Sequence, residues 1–234
     1  MRLDRFLSES TELTRSLAKR ALSRGEVDVN GELEKKGARH IQDADRVTWN
    51  GQPLALVGLR YVMLHKPTGV ECTARRGLYP RAVDLIDLPK AERLQPVGRL
   101  DVDTTGLLLL SDDGQWSHRV SSPRRGCAKV YRAELARPLA GAEAERAVTA
   151  VAEGILLEGD EQPTRPAELA LLDAHHARLT IHEGRYHQVR RMFAALGNHV
   201  ETLHRESIGP LHLDDDLAPG EWRELDDAEV KAFY

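Results

Sequence analysis

The chain has 234 residues, 41% of them hydrophobic, with 33 basic against 37 acidic side chains for a net charge of -4. That length can bury the core of one large domain or two smaller ones, and its longest apolar run, Leu107–Leu110, is far too short to cross a bilayer. Two cysteines in unlike contexts, Cys72 and Cys127, lack metal-ligand spacing and point to reduced thiols in a cytoplasmic protein.

The opening residues Met1-Arg-Leu-Asp-Arg are charged and run into a helical pattern, so they do not read as a signal peptide. Leu3, Phe6 and Leu7 share one helical face. A second helix begins at Thr14, whose hydroxyl can cap it, and turns Leu17, Ala18, Ala21 and Leu22 inward. Its polar side holds Arg15, Lys19, Arg20 and Arg24, and Gly25 stops it. Val27 and Val29 alternate into Asn30-Gly31, and Val47 and Trp49 into Asn50-Gly51, both strong signals for tight hairpins. Residues 1–57 therefore form one small unit: two helices, a hairpin sheet and a basic helix flank suited to RNA.

The link Gly58-Leu59-Arg60 leads into a larger unit, residues 61–234. Tyr61–Leu64 has the pattern of a buried strand ending at His65-Lys66-Pro67. Lys129–Leu135 alternates as a strand, Ala142–Ala152 is an amphipathic helix, and Ala177–Ile181 is again strand-like. Val189, Met192, Phe193 and Leu196 give His187–Leu196 a helical period that ends at Gly197-Asn198. The order does not alternate as βαβ units would, so the fold class is α+β with a largely antiparallel, mixed sheet.

Charge is unevenly spread. Residues 133–177 hold three basic and nine acidic side chains, residues 206–234 hold two and nine, and the rest is neutral to basic. Such asymmetry fits one basic face with an acidic back, and it weakens the objection that a net anion makes a poor RNA partner.

Two polar clusters are candidates for chemistry. Gly98-Arg99-Leu100-Asp101-Val102-Asp103-Thr104-Thr105-Gly106 precedes the apolar run Leu107–Leu110, so its side chains sit at the mouth of a buried strand. Asp101, Asp103, Thr104 and Thr105 either act there or form a hydrogen-bonded turn. In Glu183-Gly184-Arg185-Tyr186-His187-Gln188-Val189-Arg190-Arg191, a helical wheel puts Arg190 beside the apolar face and points His187 and Arg191 outward, either to phosphates and bases or simply to water. His182-Glu183 and His187 miss the spacing of a zinc protease. No glycine-rich phosphate loop follows a strand, so neither a metal nor a cofactor is expected.

Residues 1–57 resemble the αL RNA-binding domain named after ribosomal protein S-four, through Arg2-Leu3-Asp4-Arg5-Phe6-Leu7, Thr14-Arg15-Ser16 and Gly25-Glu26-Val27-Asp28-Val29-Asn30-Gly31. Gly98–Leu107 resembles the catalytic motif of the RsuA-type pseudouridine synthases. Leu64, Lys66, Pro67 and Gly69 resemble their first motif, Lys129-Val130-Tyr131 their tyrosine strand, Glu183–Phe193 their basic motif, and Leu203-His204-Arg205-Glu206 with Ile208-Gly209 their closing one. Asp112–Arg119 and Gly220-Glu221-Trp222-Arg223 look most like the branch acting on small-subunit RNA.

The resemblance implies a cofactor-free, cytoplasmic, monomeric enzyme that isomerises a uridine in 16S ribosomal RNA, uridine 516 in the family's usual name, met either as naked RNA or in a partly assembled particle. It makes Asp101 the nucleophile at C1′ or the base for the 2′ proton. Tyr131 becomes the ring stacked on a flipped uracil, and Arg190 the partner of Asp101. Arg2, Arg5, Arg15, Lys19, Arg20, Lys66, Arg99, Arg185, His187 and Arg191 become RNA contacts. The same reaction on 23S ribosomal RNA, or a non-catalytic ribosome-assembly factor on the same fold, are the alternatives.

Overall fold

The computed structural model describes residues 1–122 and 126–234. It divides into two compact units, one of residues 1–59 with 87–91 and one of residues 60–86 with 92–234.

In the small unit, helices α1 (Leu3–Ser10) and α2 (Arg15–Arg24) precede strands β1 (Val27–Val29), β2 (Glu32–Leu33), β3 (Val47–Trp49) and β4 (Gln52–Leu54), which pair in the order β2-β1-β3-β4. Thr14 caps α2 by accepting from the Leu17 amide, and Gly25 closes it with a left-handed φ of 73°. Both Asn-Gly pairs take positive φ at both residues, 57° and 83° in one turn and 50° and 77° in the other. That is the backbone a two-residue hairpin turn requires. Leu3, Phe6, Leu7, Ala18, Ala21, Leu22, Val27, Val29, Ile41 and Val47 form the core. Leu17 does not join it. Lying one residue before Ala18, it falls outside the Ala18, Ala21, Leu22 stripe and is 44% exposed.

The large unit carries a nine-stranded sheet among the described residues. Its strands are β5 (Tyr61–Lys66), β6 (Gln95–Val97), β7 (Thr104–Ser111), β8 (Lys129–Leu135), β9 (Glu168–Leu171), β10 (His176–Ile181), β11 (Val200–Ile208), β12 (Leu211–His212) and β13 (Trp222–Glu224). The order is β13-β5-β7-β11-β8-β10-β9, with β6 on β7 and β12 on β11. Every ladder is antiparallel except β7 with β11. Leu107–Leu110 is fully buried, as a strand covered on both faces requires. Helices α3 (Gly114–Ser121), α4 (Gly141–Glu153), α5 (Gln188–Ala195) and α6 (Asp227–Lys231) complete the α+β fold. Helix α4 buries Ala144, Ala147 and Val151, and α5 buries Val189, Met192 and Phe193.

Three features depart from the sequence expectations. The strand after the Gly98–Gly106 cluster begins at Thr104, so only Gly98–Asp103 is loop. Helix α5 begins one residue after His187. Strand β11, expected only as a motif, inserts between β7 and β8 and is the longest strand of the sheet.

The stretches Asp112–Arg119 and Gly220–Arg223 serve as scaffold. Asp113 caps α3 by accepting from the Gln115 and Trp116 amides and also accepts from the Tyr61 hydroxyl at 2.7 Å. Burial, then this bond, pushes the Tyr61 phenol well above its usual range. Trp116 is fully buried, donates its indole N–H to the Val230 carbonyl, and meets Tyr61 and Phe233 edge to face. Arg223 is clamped between Asp214 and Glu229.

The parallel ladder pairs Arg205 with Gly106, and there is no room at that crossing for a side chain. A Cβ on Gly106 would lie 2.3 Å from the Arg205 carbonyl oxygen and 2.6 Å from its nitrogen, and φ there is 109°. Gly106→Ala should therefore destabilise the protein by roughly 2–5 kcal/mol, combining backbone strain with overpacking. Gly98 has φ of 81° but open space around it, so Gly98→Ala should cost only about 1–2 kcal/mol of strain. Denaturant unfolding of the two variants measures the difference, and equal losses would show that the crossing is not sterically closed.

Candidate active site

A cleft of about 1010 Å³ opens in the large unit between the Gly98–Asp103 loop, the face of β8 and β11 carrying Tyr131 and Arg205, and the Gly184–Arg190 segment. Backbone bonds fix the loop. The Leu100 amide donates to the Cys72 sulfur at 3.4 Å, the Thr104 amide to the Asp101 carbonyl at 3.1 Å, and the Gly69 amide to the Val102 carbonyl at 2.8 Å. Lys66 fastens the same turn from below. Its ammonium donates to the carbonyls of Pro67 and Thr104 at 2.8 and 2.9 Å, with Val102 at 3.4 Å. Burial lowers its pKa below the ordinary lysine value.

Asp101 is presented at the cleft with its side chain 32% exposed, and the His187 imidazole lies 3.3 Å from its carboxylate. Tyr131, on an inward position of β8, lines the wall. Arg99 is exposed at the rim.

Several side chains go elsewhere than the sequence suggested. Arg190 does not reach Asp101. One Nη donates to the Val200 carbonyl at 2.8 Å, while the other sits 2.9 Å from the Asp103 carboxylate. His187 was expected to face outward on a helix, yet its left-handed φ of 47° places it before the helix and beside Asp101. Lys66 is fully enclosed and spends its donors on carbonyls, so no donor is left for RNA.

Arg185 and Arg191 also turn inward. Arg185 binds Asp160, Glu183 and the carbonyls of Gln162 and Pro163, and Arg191 binds Asp160 and the carbonyls of Glu158 and Tyr186. Arg191 and then Arg185 hold the Asp160 carboxyl below its usual range. The physical reason is a loop distant in sequence: residues 158–163 bring a carboxylate and free carbonyls to these guanidiniums.

In the small unit, Arg2 pairs with Asp4 at 2.7 Å and Arg5 with Glu9 at 2.6 Å. Arg15, Lys19 and Arg20 are exposed on α2, open to a polyanion.

The cleft has an unusual polar inventory. Among the described residues, the buried side-chain atoms without a hydrogen-bond partner are Thr104 Oγ1, Arg190 Nε, one Arg190 Nη and one Arg205 Nη, and all three residues line this cleft. The Arg190 Nη is the one near Asp103, within ion-pair distance but off the line of a hydrogen bond. Buried donors are normally satisfied, so a cluster of unsatisfied ones marks a place where a ligand completes the structure.

A protein-family model described as RNA pseudouridylate synthase matches residues 60–195, the stretch that contains Asp101, Tyr131 and Arg190. The chain belongs to this family. It is 50% identical over its whole length to the ribosomal small subunit pseudouridine synthase A of Pasteurella multocida, covering 99% of that protein. It is 46% identical over 231 residues to the Escherichia coli (strain K12) protein of that name, covering 98% of each chain. A crystal structure of a pseudouridylate synthase aligns over all of both chains with a TM-score of 0.71 and 46% identity. The RsuA-type resemblance thus holds from end to end, and the protein is a pseudouridine synthase, an isomerase.

Within this synthase, sequence reasoning passed over three cleft residues. Arg205 occupies an inward position in the alternation of β11, with Leu203 and Ser207 buried on either side. An arginine at an apolar-phase position of a strand was the signal. Lys129, in the tyrosine strand, is pushed below the ordinary lysine value by burial. Tyr186 is 76% exposed at the cleft and stacks on His187, with ring centroids 3.8 Å apart.

The inward role of Arg191 is testable. Arg191→Ala should lower stability only modestly, since the Asp160 carboxylate keeps Arg185 but loses its second guanidinium, and the Glu158 and Tyr186 carbonyls lose a donor. The salt dependence of RNA binding should stay unchanged, because no phosphate contact is lost. Urea melts with a salt titration of RNA affinity measure both; a shallower salt slope at full stability would return Arg191 to the RNA surface.

Proposed function

We propose that this synthase converts a uridine of small-subunit, 16S ribosomal RNA to pseudouridine in the cytoplasm, at the position the family calls uridine 516. The observation that carries the reading is the Asp101 carboxylate, solvent-reachable at the mouth of a cleft with Tyr131 on its wall and unsatisfied donors beneath. Two relatives that match end to end, at 50% and 46% identity, are named for small-subunit RNA, which favours that substrate over the large subunit.

The chemistry follows from what the reaction needs. The target uridine is stacked within folded RNA and must be flipped out to be reached. Asp101 then acts at the sugar, adding a carboxylate oxygen to C1′ or removing the 2′ proton, as the bond from N1 to C1′ breaks. The freed base turns within the cleft against the Tyr131 ring, C5 bonds to C1′, and the proton on C5 is exchanged for one on N1. No electron or group leaves the system, so the residues of this chain suffice. His187, 3.3 Å from Asp101, holds the carboxylate in place until the ribose displaces it. Arg99 at the rim is positioned for the adjoining phosphate.

The small unit is proposed as an S-four-like RNA-binding domain over residues 1–57, with Arg15, Lys19 and Arg20 of α2 meeting phosphates and the ion-paired Arg2 and Arg5 beside them.

Asp101→Asn should leave the fold and RNA affinity intact while lowering pseudouridine formation by about a thousandfold or more. Pseudouridine mapping after incubation with separate 16S and 23S ribosomal RNA decides both points at once. Modification of 23S RNA alone would reverse the substrate, and turnover by a folded Asp101→Asn protein would remove Asp101 from the chemistry.

Replacing Arg15, Lys19 and Arg20 together by Ala should weaken RNA binding and lower the slope of log affinity against log salt by roughly 2, at about 0.7 per single-strand phosphate contact. An unchanged slope would show that α2 does not grip this RNA.

A further inference from the structure

Arg205 is the most buried of the cations that line the cleft. It is 1% exposed. Its Nε donates to the Leu107 carbonyl at 2.8 Å and one Nη to the Tyr131 hydroxyl at 3.3 Å, while its guanidinium carbon lies 5.8 Å from the centre of the Tyr131 ring. The other Nη is buried and has no partner. Among the described residues no carboxylate lies within ion-pair distance of it, whereas Arg190 has Asp103. Two more ammonium groups stand nearby. Lys66 is saturated by carbonyls and Lys129 donates to the Cys127 carbonyl at 3.3 Å. The floor of the cleft is therefore positive, with one donor left over.

A buried guanidinium without an anion is costly, and such groups persist where a ligand supplies the missing charge. Two anionic sources exist in an RNA substrate, the phosphates and the base. Phosphates lie on the RNA exterior and meet exposed cations, such as Arg99 at the rim. Arg205 lies at the level of the Tyr131 ring, at a depth reached only by a flipped base. Uracil is neutral in the substrate, but when the N1–C1′ bond breaks its electron pair passes to the ring as a monoanion spread over N1, O2 and O4. This inference rests on the reading of Asp101 and the flipped uridine given above.

We propose that Arg205 is a catalytic residue that donates its free Nη to a carbonyl oxygen of the detached uracil and stabilises the departing anion. The electron balance is closed. Asp101 gives an oxygen lone pair to C1′, or accepts the 2′ proton as the C1′–C2′ double bond forms, and the N1–C1′ pair stays with the ring beside Arg205. When C5 bonds to C1′, the carboxylate is released or C2′ recovers its proton, the C5 proton is lost and N1 gains one, and Arg205 again faces a neutral base. Its contact is strongest where the negative charge exists, which is how an electrostatic group lowers a barrier rather than merely binding. The Tyr131 hydroxyl, accepting from the other Nη, keeps the guanidinium edge turned toward the base.

The experiment compares the unmodified enzyme with Arg205→Met and Arg205→Lys in single turnover at saturating 16S RNA, with uridine or 5-fluorouridine at the target. Loss of the N1–C1′ bond is the readout. Fluorine makes the uracil anion intrinsically more stable, so that substrate depends less on the enzyme's cation. Arg205→Met should cleave the uridine RNA about 10²–10³-fold more slowly, with RNA affinity within threefold, and its deficit should shrink at least tenfold on the fluorinated RNA. Arg205→Lys should fall between the two enzymes.

Equal deficits on both RNAs, or a rate within threefold of the unmodified enzyme, would reduce Arg205 to a structural support of Tyr131 and overturn the proposal. If Arg205→Met fails to fold, Arg205→Lys decides by the same comparison. An unmodified enzyme inactive on this RNA would instead strike the substrate reading, and the proposal with it.

Discussion

One backbone crossing sets the rest of the large unit: the parallel pairing of β7 with β11, where Gly106 lies against Arg205. Arg205 is in register with Gly106 on one side and with Tyr131 on the other. A single residue of β11 thereby fixes the spacing between the strand that follows the Asp101 loop and the strand that carries the tyrosine. The chemistry needs a carboxylate, a ring and a cation around one base, and strand registry supplies that geometry more rigidly than loops would. The absence of a side chain at Gly106 is what lets the strands close, so a residue with no functional group governs the placement of three that have one.

Electrostatics are arranged in depth. At the surface the cleft shows Asp101, Asp103 and Arg99; beneath lie Lys66, Lys129, Arg190 and Arg205, all wholly or partly buried. Lys66 and Lys129 answer to backbone carbonyls rather than to anions. Such an interior is tolerable only because the carbonyls at the mouth of β7 and around Cys127 are aimed at it. It also means that the formal charge of -4 says little about the field a substrate base meets on entering.

Much of this was legible in the sequence, and the limits are physical. Local devices were readable: the Thr14 cap, both Asn-Gly turns, the α+β class, and the placing of Asp101 at the mouth of a buried strand. The partners of long side chains were not. Arg185 and Arg191 looked free on a helical wheel because the wheel holds no information about residues 158–163, which fold over them. The wheel also assumed that the helix includes His187, whose left-handed backbone turns the ring to Asp101. Arg190 has Asp103 nearer to hand than Asp101, a choice made by a two-residue difference in a loop. Arg205 was passed over because an arginine in a strand is usually an outward residue; here its neighbours in the alternation showed the opposite phase.

The strand order has a consequence for how the molecule is made. Strand β11 fills the place between β7 and β8 although it is synthesised long after both. A nascent chain that ends before Val200 carries two long strands with open edges and no template between them, a state prone to mispairing and aggregation. It also has no cleft floor, because Arg205 and the registry it imposes arrive with the last long strand. The small unit, by contrast, has its helices and sheet in hand once the first quarter of the chain is made. Fragments released early from the ribosome can therefore retain the helix proposed to meet RNA but cannot modify it, and catalytic competence reports that translation has passed β11.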